Sequence, residues 1–126
     1  MKKLGLIISA LFLTLGVACA DTDRPISVNE LPQKAQKFLK EHFGGREVSF
    51  AKVDPEMLTK EYEVVLTDGT KMEFLADGEW KSVDCRYGSV PAAIIPNQIK
   101  HYLEKNYPQA VVLGIDYERK QYEVRL

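Results

Sequence analysis

One apolar pattern occurs twice in this chain, and it constrains the fold more than any other feature. Leu31-Pro32 is followed by Ala35, Phe38, Leu39 and Phe43, and Ile95-Pro96 by Ile99, Tyr102, Leu103 and Tyr107, every position 64 residues on. Further along, Tyr62-Glu63-Val64-Val65-Leu66 returns as Tyr122-Glu123-Val124-Arg125-Leu126 at an offset of 60, so a connection is four residues shorter in the second copy. A unit duplicated in this way must bury the same stripe with the same elements each time.

Within each copy the apolar positions recur at spacings that place them on one stripe of an α-helix. Proline is tolerated where the helix begins because that N–H has no intrahelical partner, and Gly44-Gly45 and Pro108 supply stops. The pattern predicts helices over Pro32 to Phe43 and Pro96 to Asn106. Glu47 to Val53, Tyr62 to Leu66, Thr70 to Leu75 and Glu79 to Arg86, rich in valine, threonine and aromatic residues, read as strands. Asp68-Gly69 and Asp77-Gly78 mark hairpins in which glycine supplies a positive φ.

Side-chain facing fixes the hairpin loops, since residues opposite one another on paired strands point to the same side. Two-residue loops would set Leu66 against Lys71. Three-residue loops, Thr67-Asp68-Gly69 and Ala76-Asp77-Gly78, set Val64 against Met72, Tyr62 against Phe74 and Trp80 beside Phe74. One face of the meander is then Tyr62, Val64, Leu66, Met72, Phe74 and Trp80, which must meet the helix stripe. The other carries Glu63, Val65, Lys71, Glu73, Leu75 and Lys81, with Glu73 expected opposite Lys81 and Glu123 and Arg125 at the matching outward positions. The expected fold is α+β: two tandem repeats of one helix followed by an antiparallel meander, the helices on one face of the sheet. Repeat 1 spans about 27–86 and repeat 2 about 90–126. The second copy stops at Leu126, where the first runs on for about two more strands, so it reads as truncated. Its strand from Ala110, alternating Val111, Leu113, Ile115 and Tyr117, is one position out of phase with Val48 and Phe50 of the first copy, which points to a bulge or a shifted helix end.

The N-terminus sets the compartment. Lys2 and Lys3 precede an apolar run from Leu4 to Val17, and small residues follow at Ala18-Cys19-Ala20, the pattern of a signal peptide over residues 1–20 with cleavage before Asp21. The run is too short for a comfortable membrane span. Leu15-Gly16-Val17-Ala18-Cys19 resembles a degenerate lipobox, which makes a lipoprotein anchored through Cys19 the alternative. Either route leads out of the cytoplasm, with residues 21–126 as one domain. Without the two leader lysines the chain has 15 Lys and Arg against 18 Asp and Glu, a net charge of −3. Neither nucleic acid nor an anionic membrane surface would find concentrated positive charge here.

The chain resembles the PepSY-like family of exported bacterial proteins described as β-lactamase-inhibitor-like. The resemblance is carried by the Leu31-Pro32 and Ile95-Pro96 helix starts, the Phe38-Leu39 and Tyr102-Leu103 pairs, Asn106-Tyr107-Pro108, both Tyr-Glu-Val strands and Asp77 to Trp80. It implies helix-plus-sheet repeats outside the cytoplasm and non-covalent protein binding rather than catalysis. The motifs are structural, so they identify the fold better than the activity.

Catalytic signatures are weak by comparison. Cys85 lacks a neighbouring base, His42 and His101 lie on different helices without HxxxH, HExxH or CxxC spacing, and Ser49, Ser82 and Ser89 lack a nucleophile elbow. No cofactor, metal or enzymatic activity is expected. Trp80 is expected in the core, with an exposed interface anchor as the alternative, and Tyr87 to Ile95 reads as a linker whose apolar residues either pack against the second helix or serve a partner. The leading expectation is a non-catalytic module that binds an envelope protein, or inhibits one, through Glu63, Val65, Lys71, Glu73, Lys81 and Arg125. The alternative is a periplasmic small-ligand sensor with a pocket between the repeats.

Overall fold

In the computed structural model the chain is described over residues 23–54 and 60–126, so the leader and Cys19 lie outside the described residues. The elements run β1 (Arg24–Ile26), a single 3-10 turn (Val28–Glu30), α1 (Gln33–Phe43), β2 (Val48–Asp54), β3 (Glu61–Leu66), β4 (Lys71–Leu75) and β5 (Trp80–Asp84). A second 3-10 turn (Ala92–Ile94), α2 (Asn97–Asn106), β6 (Gly114–Glu118) and β7 (Gln121–Arg125) follow. The seven strands form one antiparallel sheet in sequence order.

The apolar stripe of α1 meets the sheet as its spacing requires: Ala35, Leu39 and Phe43 are buried, and the Phe38 ring packs edge-on against Phe74 at 5.5 Å. Both meander loops have three residues. Leu66 N–H donates to the Thr70 carbonyl at 2.8 Å and Leu75 N–H to the Glu79 carbonyl at 2.8 Å, with Gly69 and Gly78 both at φ 93. In each loop an aspartate accepts the N–H two residues on, Asp68 from Thr70 and Asp77 from Glu79, both at 2.9 Å. Val64 lies opposite Met72, Tyr62 opposite Phe74 and Phe74 opposite Trp80, the register that side-chain facing predicts.

The fold differs from expectation where strands slip. A shift between Glu73 and Phe74 sets Glu73 opposite Ser82, and Lys81 reaches Glu61 rather than Glu73. A second shift between Val48 and Phe50 turns Ala51 and Val53 inward and leaves Phe50 48 % exposed. In the second half, Leu113 N–H donates to the Arg125 carbonyl although Gly114 is the register partner of Arg125. Two residues thus face one, the signature of a bulge, and Val112 and Ile115 are buried while Val111 is exposed.

The fold does not divide into two equivalent units. Four strands follow α1 and two follow α2, and all belong to one sheet joined where β5 pairs β6. At that seam Val83 faces Ile115, both fully buried. The stripe of α2 is only partly covered: Ile99 and Leu103 pack against the core, whereas Tyr102 and Tyr107 are exposed and stack on each other at 6.2 Å. Val90, Ile94 and Ile95 of the linker enter the same core.

Candidate functional site: the outward face of the sheet

Both helices pack against the core side of the sheet, so the opposite face carries no covering element among the described residues. Strand pairing lines its side chains into rows across the sheet. One row runs Lys52, Glu63, Glu73, Ser82, Asp116, Glu123, and a second runs Phe50, Val65, Lys71, Asp84, Gly114, Arg125. Asp54, Glu61 and Leu75 form a third, shorter row. Glu63, Val65, Lys71, Glu73 and Arg125 therefore share one face, as their strand positions predict. Lys81 joins them from the β5 irregularity, through the Glu61 carboxylate at 3.1 Å.

Acidic side chains outnumber basic ones on this surface, and the few cations are shared between rows. Lys52 reaches Asp23 at 2.9 Å and Glu63 at 3.9 Å, and Lys71 reaches the other Glu63 oxygen at 4.0 Å. Arg125 donates to Asp116 at 2.7 Å and lies 3.8 Å from Glu123, while the Ser82 hydroxyl also donates to Asp116 at 2.7 Å. Burial raises the Asp116 pKa, but the hydrogen bonds from Arg125 and Ser82 outweigh it and hold the carboxyl below its ordinary value. Burial lowers Lys81, but Glu61, assisted by Glu73 and Glu118, lifts its ammonium above the usual lysine value.

Gly114 makes the Arg125 contact possible. A Cβ there would stand 2.5 Å from the guanidinium, so Arg125 lies across the strand to Asp116 in space that a larger residue would crowd. At the other end of the face a shallow hollow of about 100 Å³ is lined by Asp23, Lys52, Asp54, Glu61, Tyr62, Glu63 and Glu73. Beside it the Phe50 and Val65 pair forms an apolar patch amid the charge. Sequence reasoning misses Phe50 because the β2 slip that turns it outward leaves no mark on the apolar pattern; it misses Lys52 and Asp116 because their facing depends on the register of β2 and β6, and Glu61 because the strand read from the sequence begins one residue later, at Tyr62.

The remaining candidates lie elsewhere. Cys85 is 1 % exposed, and burial pushes its thiol up despite the opposing Thr70 hydroxyl, which disfavours the reactive thiolate. His42 packs on Phe38 with ring centroids 4.7 Å apart, and His101 sits on the α2 surface beside Glu104. Trp80 is half-buried on the helix side, between Phe38 and the Tyr117 and Tyr122 rings. The described hollows include this outward one, grooves beside α1, and a shallow one across the β5–β6 seam lined by Glu73, Lys81 and Ser82 from the first half and Asp116 and Glu118 from the second. No helix among the described residues is long and apolar enough to cross a membrane.

Known proteins place this architecture. A periplasmic protein of the DUF2874 family from Bacteroides vulgatus is 45% identical, with a TM-score of 0.81 over 84% of each chain. A protein from Bacteroides thetaiotaomicron, described as a proposed calcium-regulated periplasmic protein, is 49% identical with the same TM-score and coverage. A second Bacteroides vulgatus periplasmic protein, of unknown function, is 36% identical, with a TM-score of 0.78 over 82% of this chain and 84% of its own. Among curated proteins none matches the chain. All three are described as proposed periplasmic proteins, in agreement with an exported location for this chain. The family model described as beta-lactamase-inhibitor-like, PepSY-like matches residues 60–126, from β3 to the end of β7. With that match over more than half its length, and with solved neighbours of the same fold at up to 49% identity, the chain belongs to the PepSY-like, beta-lactamase-inhibitor-like family.

Proposed function

We propose that this protein is a non-catalytic envelope module whose outward sheet face docks another protein. The reading is carried by one observation: Glu63, Val65, Lys71, Glu73, Lys81 and Arg125 stand together on the face that neither helix covers. Around the apolar Phe50 and Val65 pair lie charges of both signs, so a partner can bury the patch while its own charges fix orientation. The test is a photo-cross-linking residue placed at Val65 in cells. A defined adduct should form, and it should disappear when Lys71→Glu and Glu73→Lys reverse the neighbouring charges. An adduct indifferent to that reversal, or one given equally by a probe at the exposed Lys37 on α1, would remove this face from consideration.

The alternative is a small ligand, and its most specific form is a divalent cation. It is suggested by the calcium regulation proposed for the Bacteroides thetaiotaomicron neighbour and by the acid-lined hollow of Asp23, Asp54, Glu61, Glu63 and Glu73, although among the described residues no three acidic, histidine or cysteine side chains are grouped closely enough to hold a metal ion. Lys52 occupies the position of a cation in that hollow, so a metal would have to compete with it. Calcium that binds the folded state raises its melting temperature. Under this reading the rise is larger in Lys52→Met and vanishes in Glu61→Gln with Glu63→Gln; a melting temperature unmoved by calcium in all three proteins excludes it.

A further inference from the structure

The two edges of the sheet are not alike. β1 is three residues long and contains Pro25, which cannot donate a backbone hydrogen bond, so this edge is protected against further pairing. β7 has five residues and no proline, and no described element covers it.

The β6–β7 hairpin fixes which β7 backbone groups are free. Arg119 and Lys120 form a two-residue loop with φ of 54° and 64°, which closes on Glu118 opposite Gln121. In such a hairpin the closing pair exchanges both backbone bonds, and bonded and non-bonded pairs then alternate. Gln121, Glu123 and Arg125 thus turn their N–H and C=O towards β6, as the Leu113 N–H to Arg125 carbonyl bond at 2.8 Å requires. Tyr122 and Val124 turn theirs outward, away from the sheet.

We propose that the β7 edge pairs with the β7 edge of a second copy of this chain, antiparallel and centred on Val124, to join two sheets into one. The free backbone groups restrict a symmetric antiparallel pairing to registers in which Tyr122, Val124 and Leu126 face one another. Centring on Glu123 would oppose the two Glu123 carboxylates, and centring on Tyr122 would set Glu123 against Gln121. Centring on Val124 sets Val124 against Val124, Tyr122 against Leu126 and, twice, Glu123 against Arg125 of the other copy. Charge complementarity therefore selects this register.

Each face of the joint has a reason to form. On the helix side Tyr122 and Leu126 are 45 % and 49 % exposed and would cover each other. On the outward side Glu123 lies opposite Asp116, a like-charge pair within one chain, with Arg125 bonded to Asp116 and more distant from Glu123. The second copy's guanidinium gives Glu123 a closer cation. The joint would also extend the outward face across the two-fold axis.

The test uses the full chain, exported and purified from its host envelope. Light scattering should give twice the single-chain mass at high micromolar concentration, falling to one on dilution. Glu123→Arg should remain monomeric at the same concentration, because it opposes Arg125 across the joint. Within one chain it turns the like-charge contact to Asp116 into an attractive one and loses the exposed 3.8 Å pair with Arg125, so the two changes offset and its far-UV CD and dilute melting temperature should be preserved. Val124→Cys on air oxidation should form a chain-to-chain disulfide, lost when Glu123→Arg is added; a pair of this type holds its Cα atoms about 5.5 Å apart, within disulfide range. A wild-type chain that stays monomeric at millimolar concentration overturns the proposal. So does a dimer that survives Glu123→Arg, or one in which Val124→Cys fails to cross-link, because each assigns the contact to another face.

Discussion

Two glycines show how single positions hold distant parts of this fold together. Gly78 combines a φ of 93° with a site where a Cβ would stand 2.7 Å from Lys34 Cβ and 3.0 Å from the Ala35 backbone nitrogen. It seats the β4–β5 loop on the start of α1, where Lys34 also bonds Glu79 at 2.8 Å. Gly45 has a similar φ of 87° but open space around it. The left-handed conformation alone costs a side chain about 1–2 kcal/mol. Gly45→Ala should therefore lose about 1 kcal/mol, and Gly78→Ala about 2–3 kcal/mol, because backbone must also move; urea unfolding of the two variants checks the order. Gly114 acts through charge instead. Gly114→Ala crowds the Arg125 guanidinium and should weaken its bond to Asp116. The folded-state pKa of Asp116 is depressed, so its contribution to stability is complete above the ordinary aspartate value of about 3.9 and is lost as pH falls through the lower folded value. The melting temperature of Gly114→Ala should lie below that of the wild type at pH 6, and the gap should narrow between pH 4 and pH 2. A gap independent of pH would mean that steric crowding alone accounts for the loss.

The β6–β7 hairpin departs from the chemistry its geometry favours. A two-residue loop with positive φ at both positions suits Asn-Gly, yet Arg119 and Lys120 occupy it. Arg119→Asn with Lys120→Gly should raise stability by about 1 kcal/mol, read as a higher urea midpoint at unchanged slope. The same loop illustrates what the sequence conceals. The Asp68-Gly69 and Asp77-Gly78 hairpins announce themselves, and facing arguments yield their loop lengths and the Val64–Met72, Tyr62–Phe74 and Phe74–Trp80 pairs. The helices are legible to within a residue at their starts, because Pro32 and Pro96 precede stripes of regular spacing. Strand slips are less legible. The phase mismatch between the two copies points to the bulge at Leu113–Gly114, whereas the slips at Phe50 and Lys81, which also decide the face a side chain takes, arise from packing between strands that no local pattern records. For that reason the candidate surface could be assembled from the β3–β4 hairpin, while Phe50, Lys52, Glu61 and Asp116 emerge only once the rows are aligned. The three-residue β1 has too little apolar alternation to be read at all.

The duplicated pattern suggests two parts able to fold separately, whereas the sheet makes them one. β5 and β6 pair over Ser82 to Asp84 and Gly114 to Asp116, and the core beneath the seam draws on both sides: Phe43, Met72 and Phe74 from the first, Val90, Ile94, Val112 and Ile115 from the second. The α2 side cannot stand alone, since α2 only partly buries Ile99 and Leu103 and β6–β7 would be a lone hairpin, which is marginal in water. Its stability must be borrowed through the seam, and unfolding should therefore be a single transition. Trp80 is the chain's one tryptophan and sits between Phe38 of α1 and Tyr117 and Tyr122 of the last hairpin, so its fluorescence reports the joint, while far-UV CD reports the whole. The two signals should coincide along a urea titration. Ile115→Ala removes a fully buried side chain facing Val83 and should lower stability by about 2–4 kcal/mol with both signals moving together. Fluorescence that shifts ahead of CD would instead mean that the last hairpin detaches while β2–β5 and α1 persist, and the protein would then behave as a stable first part with a weakly held second. Coincident transitions would make the outward face, from Val65 and Lys71 to Asp116 and Arg125, part of one cooperative unit.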